Sequence, residues 1–194
     1  MTARTLIRER LQAGIALRAQ LEEACAAQIV LAAERIVAAY RAGNKLLLCG
    51  NGGSAADCQH MATELVSQLR HDVKREGLPA IALTTDTSYL TAFANDHGYE
   101  GVFARQVQAI GRSGDVLLGI STSGNSKNVV AAFREAKERG VTTLALTGSG
   151  GALAPLADLA IQVPSTDTQL VQEMHLAIEH LVCELVELAW VGRL

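Results

Sequence analysis

The sequence has no surplus of positive charge, no long apolar run and no paired cysteine motif. With 17 Lys and Arg against 20 Asp and Glu, its formal net charge is -3, which argues against a nucleic-acid-binding surface. Its apolar runs, such as Lys45–Gly50 and Asp115–Ile120, fall far short of the roughly 20 residues needed to cross a bilayer. The first ten residues, MTARTLIRER, are charged throughout and lack the apolar stretch and cleavage site of a secretory signal. A cytoplasmic protein with no membrane and no nucleic-acid partner is expected. Cys25, Cys49, Cys58 and Cys183 show no Cys-x-x-Cys spacing, so reduced and mostly buried thiols are expected rather than disulfides or zinc thiolates. The Gly-Lys-Ser/Thr end of a nucleotide phosphate loop is also missing.

What is present is a chain of 194 residues with 49% hydrophobic content, enough for one compact soluble domain with a substantial core. Residues 4–41 contain no proline and one glycine. Apolar residues recur there at Ile7, Leu11 and Ile15, then at Leu17, Leu21 and Cys25, and again from Ile29 to Tyr40, which predicts N-terminal helices over 1–42. From 43 to 194 short apolar runs at 45–49, 79–84, 115–121, 141–146 and 159–163 alternate with helical segments at 54–70, 126–139 and 168–190. Thr85-Asp-Thr-Ser88 is a helix-capping string. Strands apolar on both faces and separated by helices predict an α/β fold, a doubly wound three-layer sandwich with a five-stranded parallel sheet.

Two strands share an exit. Lys45–Cys49 leads into Gly50-Asn-Gly-Gly-Ser54, and Asp115–Ser121 into Thr122-Ser-Gly-Asn-Ser126, each followed by a helix. Ligands of open parallel sheets bind at the carboxyl ends of strands, so these loops are the expected floor of one pocket, with 147–151 a weaker third. The first loop matches a relaxed dinucleotide fingerprint. That fingerprint also requires an acidic residue at the end of the second strand, about 20 residues on, where Arg70-His-Asp72 precedes the strand instead. The alternative is backbone amides and hydroxyls for a small phosphate or polyol. His60 and Glu64, four apart, project from one side of a helix, and Gln172, His175, Glu179, His180 and Glu184 form a polar set within the apolar last helix. Spacing alone leaves open a metal site, a catalytic pair or a surface pair.

The strings Cys49-Gly-Asn-Gly-Gly-Ser-Ala-Ala-Asp57, Asn95-Asp96, Gly119-Ile-Ser-Thr-Ser-Gly-Asn-Ser126, Leu146-Thr-Gly148 and Val163-Pro-Ser165, followed by Gln172-Glu-x-His175, resemble the sugar isomerase (SIS) domain family and, more narrowly, the phosphoheptose isomerases. The resemblance covers nearly the whole chain. It implies a flavodoxin-like SIS fold, a homotetramer with active sites between subunits and the N-terminal helices at its interfaces, and conversion of sedoheptulose 7-phosphate to D-glycero-D-manno-heptose 7-phosphate for bacterial surface polysaccharide. The implied acid/base residues are Glu64 and His180. The implied ligands of one zinc per subunit are His60, Glu64, Gln172 and His180. Ser121, Thr122, Ser123 and Ser126 are expected to hold phosphate, and Asn51, Gly52, Gly53, Glu64, Asn95, Asp96 and Gln172 to contact the sugar, with Thr85 and Asp86 nearby. A non-catalytic relative that associates with the replication initiator shares the serine loop but lacks the Glu and the second His, both of which this chain has. Gln172 and His180 are eight residues apart, about 12 Å along a helix, so either the last helix starts late or the ligands come from different subunits.

Overall fold

A computed structural model describes residues 1–194. The N-terminal segment is one helix rather than several, α1 (Ala3–Arg41). After Gly43, in the left-handed region at φ +79°, the chain alternates β1 (Leu46–Gly50), α2 (Gly53–Val66), β2 (Ala80–Ala82), α3 (Thr87–His97), a 3-10 turn at Tyr99–Gly101, α4 (Val102–Ile110), β3 (Val116–Ser121), α5 (Lys127–Glu138), β4 (Thr142–Thr147), α6 (Leu153–Leu156), β5 (Leu159–Gln162) and α7 (Thr168–Trp190). The strands form one parallel sheet in the order β2-β1-β3-β4-β5. This is the expected α/β sandwich.

Because strand side chains alternate between faces, the apolar runs feed two cores. Leu46, Leu48, Val116, Leu118, Ile120, Leu144 and Leu146 face α1, α2 and α7, whereas Leu47, Cys49, Leu117 and Ala145 face α4 and α5. Gly119 is glycine for a packing reason: a Cβ there would run into the Phe133 ring and the Val129 methyl of α5. All four cysteines are free and buried, as expected.

The strand order places the site. From β1 the chain moves outward to β2, then crosses back to lay β3 on the other side of β1, in register from Leu46↔Val116 to Gly50↔Ile120. Winding reverses between β1 and β3, and their carboxyl ends open the crevice where such sheets take ligands. The loops after β1 and β3 flank it. The last helix does not start late: Asp167 caps it by accepting from the Gln169 and Leu170 amides at 3.0 and 3.3 Å, so Gln172 lies inside regular helix.

Candidate active site

The β1–α2 loop is shaped by glycine. Gly52 has φ +57° and ψ -120°, a backbone state that L side chains rarely adopt. At Gly53 a Cβ would occupy the space of the Gln172 side-chain amide. Gln172 therefore packs against the first turn of α2, while His180 faces His60 two turns further along. The β3–α5 loop carries the hydroxyls. Ser121 is buried, its Oγ 3.0 Å from Ser126 Oγ. Ser123 Oγ accepts from the Asn125 amide at 3.2 Å, and Thr122 O accepts from the Gly148 amide at 3.1 Å, so the third loop braces the second. Asn51 bridges the crevice to Asn128, each side-chain amide donating to the other's oxygen at 2.9 Å. A cavity of ≈ 460 Å³ beside this bridge is lined by Asn51, Tyr99, Glu100, Ser126, Lys127 and Asn128.

Other expected contacts are not assembled within the chain. Asn95 and Asp96 are exposed in the last turns of α3 and bond to each other at 2.8 Å. Thr85 Oγ1 donates to Ala82 O at 3.2 Å, and Asp86 caps α3 by accepting from the Tyr89 amide at 2.9 Å. Sequence reasoning missed Tyr99, Lys127 and Asn128, although Asn128 stands only two places beyond the serine string.

Where α2 packs on α7, His60 Nε2 lies 2.9 Å from His180 Nε2, the rings edge-to-face at 72°, and His60 Nε2 lies 3.7 Å from Glu64 Oε1. In such a contact one ring nitrogen donates and the other accepts. Two imidazoles and a carboxylate are zinc-type donors, but two nitrogens on one tetrahedral zinc stand about 3.3 Å apart. No three His, Cys, Asp or Glu side chains already surround a common point at coordination distance. The donor set fits zinc in kind, although not in its present spacing.

Beneath this pair α7 is unusually polar inside. His175 and Glu179 are buried with neither ring nitrogen and neither carboxylate oxygen hydrogen-bonded, and Asp57 Oδ2 is likewise unpartnered. Burial, reinforced by Asp57, pushes the Glu179 carboxyl up to about 9. Burial pushes the His175 imidazole down to about 4. Both are therefore neutral near pH 7. Glu184, the last of the expected polar set, instead pairs with Arg70.

The end of α2 that carries Glu64 is gripped by Arg75 and Glu187, both fully enclosed. Arg75 donates to the carbonyls of Glu64, Leu65 and Glu76 at 2.8, 2.7 and 2.9 Å, and Glu187 accepts from the Leu69 and Arg70 amides at 2.9 and 3.0 Å. Terminal carbonyls that a helix leaves open are thus satisfied by a guanidinium.

Residues 11–148 match the SIS domain family model. A phosphoheptose isomerase of Roseiflexus sp. (strain RS-1) is 55% identical over 180 residues, covering 92% of this chain and 90% of that protein. The chain belongs to the phosphoheptose isomerase branch of the SIS domain family. Structures of phosphoheptose isomerases agree. The Neisseria gonorrhoeae protein matches with TM-score 0.90 at 41% identity over 95% of this chain and 98% of its own. The Francisella tularensis protein matches with TM-score 0.92 at 37% identity over 96% and 99%.

Proposed function

We propose that the chain is an aldose-ketose isomerase converting D-sedoheptulose 7-phosphate to D-glycero-D-manno-heptose 7-phosphate, on the route to bacterial surface heptose. The observation that carries this reading is the meeting of Glu64, His60 and His180 beside a glycine- and serine-lined crevice, in a chain whose relatives are phosphoheptose isomerases. Both Glu64 and His180 are present, which favours catalysis over the non-catalytic binding role.

In the proposed reaction Glu64 takes a proton from C1 of the ketose while His180 supplies one to the C2 oxygen, giving the 1,2-enediol. Delivery of a proton to C2 and its removal from the C1 oxygen gives the aldose, so no proton is gained or lost overall. The hydroxyls of Ser121, Thr122, Ser123 and Ser126, with the first amides of α5, hold the phosphate. Asn51, Gly52, Gly53 and Gln172, with Asn95 and Asp96, contact the sugar.

One zinc per subunit, held by His60, Glu64 and His180, would polarise the carbonyl when bound. A carboxylate on a dication loses basicity, so Glu64 does not act as ligand and base at once. Gln172, packed on Gly53 about 12 Å along α7 from His180, would complete a site across a subunit boundary. A homotetramer is consistent with this and with the exposed apolar side chains of α1. No helix is long and apolar enough to cross a membrane, in keeping with a cytoplasmic enzyme.

The test is turnover of sedoheptulose 7-phosphate by the purified protein, with and without added zinc, followed by product chromatography. No conversion under either condition refutes the reading.

A further inference from the structure

Asn51 and Asn128 stand 77 positions apart and close a ring of two amides, with Asn51 Nδ2 to Asn128 Oδ1 and Asn128 Nδ2 to Asn51 Oδ1 both at 2.9 Å. The direction of the ring is fixed by a third bond. Asn128 Oδ1 also accepts from the Val129 amide at 3.0 Å, which settles which end of that side chain is oxygen and, through it, the orientation of Asn51.

That third bond has a consequence for α5. The amide at the third position of a helix is ordinarily satisfied by the side chain of the capping residue. Here Ser126 holds the capping position and makes no such bond. Its hydroxyl is 3.0 Å from Ser121 Oγ instead. Asn128 has taken over the capping task, which keeps the Ser126 hydroxyl in the cradle and leaves the Lys127 and Asn128 amides without an acceptor in the chain. At its other end the same side chain holds Asn51, the residue before Gly52, which sits at φ +57° at the start of α2. Asn128 is 4% exposed, so it has little surface to offer a ligand.

We infer that Asn128 is a positioning residue that locks the sugar-facing β1–α2 loop to the phosphate-facing start of α5, acting through Asn51 across the crevice between β1 and β3. The inference rests on the reading of this crevice as a sugar-phosphate site. It further assigns the Asn51 side chain to the lock, leaving the loop's backbone amides for the sugar.

Four proteins test it: wild type, Asn51→Ala, Asn128→Ala and the double variant. Affinity for equilibrated sedoheptulose 7-phosphate is measured by calorimetry, thermal midpoints report folding, and turnover is assayed separately. Each single change is expected to weaken sugar-phosphate binding about 10-fold, and the double change by about the same 10-fold rather than about 100-fold, because either substitution breaks the same lock. Inorganic phosphate, which needs only the α5 side, should bind Asn51→Ala within about 3-fold of wild type, since that variant keeps the bond from Val129 to Asn128. Should Asn128→Ala not fold, Asn128→Ser takes its place in the cycle, its hydroxyl being too short to reach Asn51. Additive losses, or wild-type affinity in the folded Asn128 variant, overturn the inference. Loss of turnover in the wild type alone defeats the isomerase reading and leaves the affinity cycle readable.

Discussion

Arg75 and Glu187, 112 positions apart, form a fully enclosed ion pair in which Glu187 Oε1 accepts from Arg75 Nε at 3.0 Å and Nη2 at 2.7 Å. The guanidinium's five N–H groups are all engaged, the remaining ones by backbone carbonyls that include Glu64 O. Removing one partner of such a pair strands a buried charge, so Arg75→Met or Glu187→Leu alone should destabilise the fold by about 3–5 kcal/mol in urea unfolding. The double variant should recover much of that loss, because no charge is left stranded. It should not recover activity, because the carbonyls of Glu64 and Leu65 still lack their donor and the end of α2 is no longer held. Wild-type kcat in a folded double variant would show that the pair serves stability only.

Glu64 itself is the sharpest test of mechanism. Glu64→Gln keeps the shape and removes the proposed base, so kcat should fall about 10²–10⁴-fold with KM little changed. Because the carbonyl of Glu64 rather than its carboxylate engages Arg75, the unfolding curve should stay at its wild-type position. Wild-type turnover in this variant would show that another group removes the proton.

The parts of this architecture that the sequence reveals are those with a local signature. The sheet was readable because β1, β3 and β4 are buried on both faces and therefore appear as unbroken apolar runs. β2 is shorter than its run because it is an edge strand, paired only with β1. The helices between Thr87 and Ile110 are short and their stripes correspondingly brief: α3 packs only the half-buried Leu90, Phe93 and Ala94 on the core, and α4 buries Val102, Phe103 and Val107. Of that region only the cap at Asp86 was legible. In the site, the glycine and serine loops and the His60/Glu64 spacing were visible, and the resemblance to a family supplied their partners on α7. The couplings Asn51–Asn128 and Arg75–Glu187 were not visible, because each joins residues far apart in sequence whose types are ordinary for surface positions.

Zinc is tested by content as well as by rate. Purified wild type should carry about one zinc per chain by elemental analysis, and a chelator should remove it, if two imidazoles, the Glu64 carboxylate and the Gln172 amide oxygen together hold the ion as proposed. His60→Ala leaves one imidazole, one carboxylate and one amide oxygen and should weaken zinc binding enough for the purified protein to lose the metal. It should also free the His180 ring from its 2.9 Å contact, which the imidazole resonances would report. Full occupancy in His60→Ala would place the metal elsewhere.

His175 gives the fold a pH dependence on the acid side. Its folded value is lowered to about 4 by burial, from an ordinary value of 6.5. Between these values the unfolded chain binds a proton that the folded chain refuses, so this contribution is fully present above pH 6.5 and is lost as pH falls toward 4. Two and a half units correspond to about 3 kcal/mol. His175→Leu should remove this part of the acid-side slope when urea midpoints are compared at pH 7 and pH 4.5. An identical slope in both proteins would show that the buried ring is not what senses acid.

The first turns of α1 present the last relationship. Ile7, Leu11 and Ile15, spaced at four residues on one face, are 60%, 64% and 71% exposed, whereas Leu17 and Leu21 further along the same helix are both 6% exposed. The helix therefore extends beyond the core it serves, and its apolar face has no partner within the chain. Isolated exposed leucines are ordinary, but a helical stripe of them marks an interface. Leu176 and Leu181 on α7 are also exposed, at 39% and 45%. If these faces assemble the proposed homotetramer, Leu11→Arg with Ile15→Glu should leave smaller species than the wild type in light scattering. The substituted side chains are already in solvent in the single chain, so the helical circular dichroism signal should persist. Isomerase activity should fall with assembly, because Gln172 and His180 would no longer meet across a subunit boundary. Unchanged mass would place the interface elsewhere, and full activity in a dissociated protein would show that one chain completes the site.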